Sequence, residues 1–389
     1  MLADMHVHYP MHVVHDVTPE TAVKRMRKLR GGPRLRDKFR ALVIRVLAAF
    51  INMRYPWSDY RVSVDELTAG GVGFVWSALY RPFEEMDLSK PYGAPPDSAY
   101  YPQLVGDLAD VEAEVAARDP AVIRIAHDRA ELDAGLAAGG ITLVHAVEGG
   151  FHLGDTEEEV ADNVADLARR GVAYITLAHL FYRGVATNAP ALPFLPDALY
   201  RRLFPQPAEG PVTDRGEAAV RAMVAHGVLV DLSHADEPAF ARVIQLLDEE
   251  LDPRCEVPII SSHAGYRFGG QHYMHSEQQV LEFKRRDGVI GLIMAQHQLC
   301  DGLRRTKTIE RSFEVIAKHI DRIHEITGSH RHVALGSDFD GFIKPTMGGL
   351  EKAGDFAQLE RRLRERYGDE AAEMLCWRNA QRVLQAVWR

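Results

Sequence analysis

Eight apolar runs of strand length recur along the chain, separated by longer stretches with helix-like patterns. They are residues 2–8 (LADMHVH), 71–80 (GVGFVWSALY), 141–150 (ITLVHAVEGG), 171–179 (GVAYITLAH), 227–234 (GVLVDLSH), 256–263 (EVPIISSH), 288–295 (GVIGLIMA) and 332–341 (HVALGSDFDG). Most are continuously apolar, as strands covered on both faces are. The intervals carry helix signals. TEEEVADNVADLARR has an acidic first turn, and TDRGEAAVRAMVAHG offers Thr213 as a cap and Gly227 as a stop. Parallel strands alternating with helices predict an α/β fold, a TIM-like (β/α)8 barrel. No break in composition marks a second domain, so residues 1–389 read as one unit. Two stretches depart from the repeat. Residues 9–60 read as a helical insertion after the first strand, and the Pro-rich residues 188–212 read as a loop on the barrel face where sites form.

Composition narrows the class. With 389 residues, 46% hydrophobic and 26% charged, the chain can bury a large core. A formal net charge of -9 and the lack of an apolar run of eighteen residues make neither nucleic acid nor a membrane span the expected partner. The first strand begins so close to Met1 that a secretion signal has no room, so a soluble cytoplasmic protein is expected. Cys255, Cys300 and Cys376 are far apart and outside any CxxC spacing, and read as space-filling residues in a reducing compartment. Charge is nonetheless polarised. Residues 24–45 hold ten Lys and Arg against Asp37, giving +9 there and -18 elsewhere. This segment reads as a helical hairpin split at Gly31, Gly32 and Pro33, with one solvated basic face and one packed face. A lid, a subunit contact or an anionic-surface binder are its functional alternatives.

Candidate chemistry sits at the strand ends. His6 and His8 flank Val7 and therefore face the same way on a strand. Glu148, His179, His234, His263 and Asp338 close the third, fourth, fifth, sixth and eighth runs. A barrel brings those ends to one rim, which turns scattered residues into one cluster of imidazoles and carboxylates, the donors that hold catalytic zinc. His145, His152 and His297 read as packing, supporting or loop residues. Ser233 lies outside a GxSxG elbow and reads as a strand residue.

Several of these stretches share a family likeness. VEGG around Glu148, the strand ending in His179, GPVTDRGEAAVRAMVAHGVLVDLSH, SSH, GSDFDG and the terminal WRNAQRVLQAV together resemble the membrane (renal) dipeptidase family, zinc peptidases of the amidohydrolase superfamily. The resemblance implies that Glu148 bridges two Zn2+ ions, that His234 and His263 hold one, and that His6 and His8 hold the other. It places His179 over the substrate carbonyl and gives Asp338 the proton transfers beside the metal. The implied activity is attack of a zinc-bound hydroxide on the peptide bond of a dipeptide, in a protein that is often a homodimer. Two departures qualify it. The family has His-x-Asp on the first strand where this chain has His6-Val-His8, which raises the site charge by one unit, acidifying bound water and weakening retention of the first ion. An arginine that the family places about eleven residues after the His263 equivalent is missing, leaving Arg267 as the candidate grip on a substrate carboxylate. A lactone, cyclic amide, phosphoester or elimination substrate therefore stays open, as does a metal-binding barrel without catalysis.

Overall fold

The computed structural model describes residues 1–14, 28–29, 31–32, 34–52, 61–85, 90–192, 195–341, 343 and 345–388. Among them are the strands β1 (Leu2–Val7), β2 (Val72–Leu79), β3 (Ile123–Ile125), β4 (Ile141–Glu148), β5 (Val172–Thr176), β6 (Leu229–Asp231), β7 (Ile259–Ala264), β8 (Val289–Leu292) and β9 (Val333–Leu335). All pairings between them are parallel, in the order β1-β2-β4-β5-β6-β7-β8-β9. The two edges meet just beyond β9: Val7 pairs with Phe339, His8 N donates to Phe339 O at 2.9 Å, and Asp338 N donates to His6 O at 2.9 Å. The sheet is thus a nearly closed (β/α)8-type barrel in a single domain, as the eight apolar runs predict. β3 is additional. It pairs with the N-terminal half of β4, Ile123 against Ile141 and Ile125 against Leu143, at the end away from Glu148.

Side chains alternate as barrel strands require. Phe74, Trp76, Val144, Ala146 and Tyr174 belong to one buried cluster, while their neighbours Val75, Leu143, Val147 and Ile175 belong to another that includes the surrounding helices. The predicted caps are present. Thr213 Oγ1 accepts from Gly216 N at the start of the helix Asp214–His226, and Gly227 ends it in the left-handed region at φ +71°. Thr156 caps Glu157–Arg169 in the same way.

The irregular stretches differ from their expected form. Of the basic segment, residues 24–27, 30 and 33 lie outside the described residues; its second part continues into the helix Leu35–Asn52. Its basic face is not uniformly solvated. Arg40 turns inward, donating to Asp37 Oδ1 and Leu203 O at 2.6 Å each and lying 4.8 Å over the Tyr92 ring, whereas Leu35 and Phe39 are exposed. Residues 188–212 contain the short helix Asp197–Leu203, and their start is pinned to the site rim by Ala189 N donating to His234 O at 2.7 Å. Residues 193 and 194 lie outside the described residues. Among the described residues, no helix is long and apolar enough to cross a membrane.

Candidate active site

Glu148, the last residue of β4, is buried at the centre of the C-terminal rim. Its Oε1 lies 3.3 Å from His263 Nε2, 3.4 Å from His6 Nε2 and 3.6 Å from His234 Nε2. Its Oε2 lies 3.2 Å from His179 Nε2 and 3.3 Å from His8 Nε2. Asp338 completes the ring, with Oδ1 3.1 Å from His8 Nε2 and 3.8 Å from His6 Nε2. Residues from five strand ends and the turn after β9 therefore converge as the strand-end pattern predicts.

Local backbone geometry aims two of them. His234 (φ +63°) and Asp338 (φ +60°) both adopt the left-handed region, as does Asp340 (φ +65°), which is uncommon for residues other than glycine. Such strain persists where surrounding bonds over-determine it. Asp340 supplies some of them, accepting from Arg61 N at 3.2 Å and Val62 N at 3.0 Å.

A supporting layer orients the rings through their other nitrogen. His179 Nδ1 lies 2.8 Å from Glu85 Oε2, while Glu85 also accepts from Tyr80 OH at 2.6 Å and from Phe181 N at 2.8 Å. His263 Nδ1 lies 2.8 Å from Ser262 Oγ, which donates to Asp231 Oδ2 at 2.6 Å, so the hydroxyl accepts from the ring and leaves Nε2 with its lone pair. His6 Nδ1 meets Tyr174 OH at 2.6 Å. In each case Nε2 is the nitrogen turned to Glu148. Glu85, Asp231 and Tyr174 were not among the residues that strand-end reading selects. Glu85 had one available signal, an acidic pair (Glu84, Glu85) just past the end of the second apolar run.

Electrostatics follow from burial and these contacts. Burial opposes ionisation of Glu148, but the nearby His179 and His6 outweigh it and hold the carboxyl well below its ordinary range. Burial pushes Asp338 up to about 6. It also pushes His6, His263 and His234 down, favouring the neutral, metal-binding form of each imidazole. For His179 burial acts against the cation, yet Glu148 and Glu85 outweigh it and raise the ring to about 10.

The donor atoms form three overlapping groups: His6, His8 and Asp338; His6, Glu148 and His263; Glu148, His179 and His234, each within 4.8 Å. Glu148 Oε1 and Asp338 Oδ1 are buried without a hydrogen-bond donor. Charged oxygens left so are costly unless a cation meets them, and imidazole with carboxylate is a donor set for divalent transition metals. The residues fit a metal centre.

The remaining residues singled out in the sequence have other partners. Arg267 is already engaged: its guanidinium pairs with Glu237 at the start of the helix Glu237–Leu246, and Nε donates to Met274 O in its own loop at 2.8 Å. His152 is structural, with Nδ1 2.7 Å from Gly149 O and Nε2 accepting from Arg81 N at 3.2 Å. Cys300 and Cys376 are buried and Cys255 is partly exposed, all three free.

Residues 24–389 match the family model described as "Membrane dipeptidase (Peptidase family M19)". The chain belongs to the membrane dipeptidase family. His6 and His8 precede the matched range, so their place in the site rests on the barrel geometry itself. Curated relatives of this family member include dipeptidase verJ of Clonostachys rogersoniana, 24% identical over 86% of this chain and 77% of that protein. An uncharacterised dipeptidase of Schizosaccharomyces pombe is 30% identical over 63% of this chain and 53% of its own length. An uncharacterised Klebsiella pneumoniae protein is 30% identical over 48% of this chain and 65% of its own. The match thus spans about half to three quarters of these relatives. The fold is shared with a metallopeptidase from Rhodobacter sphaeroides solved with a phosphinate mimic of L-Ala-D-Ala, at TM-score 0.70 and 18% identity, covering 100% of this chain and 99% of that one.

Proposed function

We propose that this membrane dipeptidase family member is a metal-dependent hydrolase of dipeptides or similarly small amides. The observation that carries this reading is the position of Glu148, a buried carboxylate with His6, His263 and His234 against one oxygen and His179 and His8 against the other. Glu148 would bridge two divalent ions, zinc being the first candidate; His6, His8 and Asp338 would complete one position, and His234 with His263 the other. When bound, such a pair supplies a water acidified to near neutral pH and polarisation of the scissile carbonyl.

The chain's own groups account for the rest. His179, fixed at Nδ1 by Glu85, presents Nε2 to the rim, where it would donate to the substrate oxygen as negative charge develops there. Asp338 is more open than Glu148, with 12% of its side chain exposed against 1%. That exposure suits a group that takes the proton of the attacking water and delivers it to the leaving amine. Support for a dipeptide as substrate comes from the family and from the dipeptidase names of its relatives.

The test is metal content together with turnover: ions per chain, then release of amine from a panel of L,L and L,D dipeptides with and without added zinc. About two ions per chain with amine release supports the reading, and metal-loaded protein inert on every dipeptide overturns the substrate. A second reading, a lactone or cyclic amide lacking a free carboxylate, is favoured by the prior engagement of Arg267 with Glu237. Arg267→Ala separates the two. Arg267 as carboxylate anchor requires KM to rise for free dipeptides far more than for their amides; equal effects remove it from the site.

A further inference from the structure

Strand β4 carries chemistry on both faces. Ala146 and Glu148 share one face, whereas His145 points the other way, toward the helix Tyr100–Ala116 and the turn after β3. There it meets Glu112 from the helix and His127 from the turn. The His145 side chain is 0% exposed, yet neither of its ring nitrogens has a hydrogen-bond partner. An imidazole so buried normally satisfies at least one nitrogen.

Its surroundings point to the missing partner. His145 Nε2 lies 3.4 Å from Glu112 Oε1, and the same oxygen lies 3.2 Å from His127 Nε2. All three donor atoms fall within 4.8 Å of one another. Ligands on a tetrahedral ion bound at about 2.0 to 2.1 Å stand roughly 3.3 Å apart, so both measured edges suit one shared cation. His127 is also arranged as a ligand. Its Nδ1 lies 2.9 Å from Glu131 Oε2, the carboxylate–imidazole pairing that leaves Nε2 with its lone pair facing Glu112. His127 is thus satisfied through Nδ1, whereas His145 Nε2 faces Glu112 Oε1 at 3.4 Å without a hydrogen bond.

We propose that Glu112, His127 and His145 form a second divalent-metal site, separate from the rim cluster and selective for the zinc class of ions. Two nitrogens and one carboxylate favour zinc or cobalt over magnesium or calcium, which prefer oxygen alone. A cavity of about 580 Å³ opens beside it, lined by Glu112, Arg118, Ile123, Arg124 and His127, and gives an ion a route in and room for a water as fourth ligand. Binding here ties the helix Tyr100–Ala116 to β3 and β4, on the opposite face of β4 from Glu148. The site does not depend on the activity proposed above.

The experiment counts ions. Purified full-length protein is equilibrated with Zn2+ and, separately, Co2+, and ions per chain are measured for wild type, Glu112→Gln, His127→Asn and Glu148→Gln. Glu112 and His127 are each 39% exposed, so their variants are expected to fold. The expected result is one ion fewer per chain in Glu112→Gln and in His127→Asn, with dipeptide turnover unchanged and with part of the tetrahedral cobalt absorption lost. Glu148→Gln is expected to lose rim ions and turnover while keeping the ion at Glu112. Wild-type ion counts in both Glu112→Gln and His127→Asn overturn the site, whatever the rim centre does.

Discussion

Asp338, through His8, and Glu85, through His179, flank Glu148 from different sides, and each can be replaced with little change in side-chain volume. Asp338→Asn keeps an oxygen beside His8 but cannot take up a proton. The expected outcome is unchanged metal content with turnover reduced roughly 10² to 10⁴-fold, the range for loss of a general base; retained turnover would sink its proton role. Glu85→Gln is subtler, because Tyr80 OH, Phe181 N and His179 Nδ1 all use that carboxylate and an amide offers only one oxygen. A loosened His179 predicts a fall in kcat of about tenfold or more with KM nearly constant and metal retained, read from steady-state kinetics beside metal analysis. A change confined to KM would show that His179 serves binding instead. At this scale the sequence pattern reveals residues that end strands, since a barrel must collect them. It does not reveal Glu85, which lies in the short helix Pro82–Glu85 after β2 and reaches His179 across 94 positions.

The elements show the same asymmetry between pattern and outcome. Apolar runs overstate strand length where the chain must turn to aim a ligand. The run 227–234 yields only Leu229–Asp231 as strand, because His234 leaves it at positive φ. β3 escapes notice for the opposite reason: IRI is three residues long and interrupted by Arg124, too short to stand out as an apolar run. Helix ends are more legible, since a cap is a local event. Gly227 tests this. A Cβ there would need a left-handed backbone and would sit 2.5 Å from Val387 O in the closing helix. Gly227→Ala is therefore expected to destabilise the protein by about 1 to 3 kcal/mol in denaturant unfolding, more than the few tenths that helix propensity alone would return in its favour. A neutral or stabilising result would mean that the junction with residues 379–387 relaxes freely.

For the whole molecule, the unusual quantity is how many histidines are buried outside the rim. Burial pushes His275 down to about 3 and His297 and His319 down to about 4. His319 is the best-defined of them: Nε2 donates to Leu299 O at 2.8 Å and Nδ1 accepts from Tyr266 N at 3.0 Å, so a proton on Nδ1 would break the second bond. In the unfolded chain the same ring titrates near 6.5. Below that pH the unfolded state takes up a proton that the folded state refuses, so the stability due to neutral His319 is complete above 6.5 and is lost as pH falls toward 4. Buried Asp4, raised to about 7, and Asp107, raised to about 6, work in the other direction, because their folded forms take up protons first. The net acid response of the wild type mixes both signs, which makes a difference measurement the decisive one. His319→Gln keeps a donor and an acceptor but does not titrate. Unfolding free energies of wild type and variant at pH 7, 6, 5 and 4 should shift relative to each other by about 1.4 kcal/mol per pH unit below 6.5, in the variant's favour as pH falls, to a limit of about 3 kcal/mol. A constant gap across that range would mean that folding does not depress the His319 pKa, and the contribution of this sign would then rest with the other buried histidines, His275 and His297.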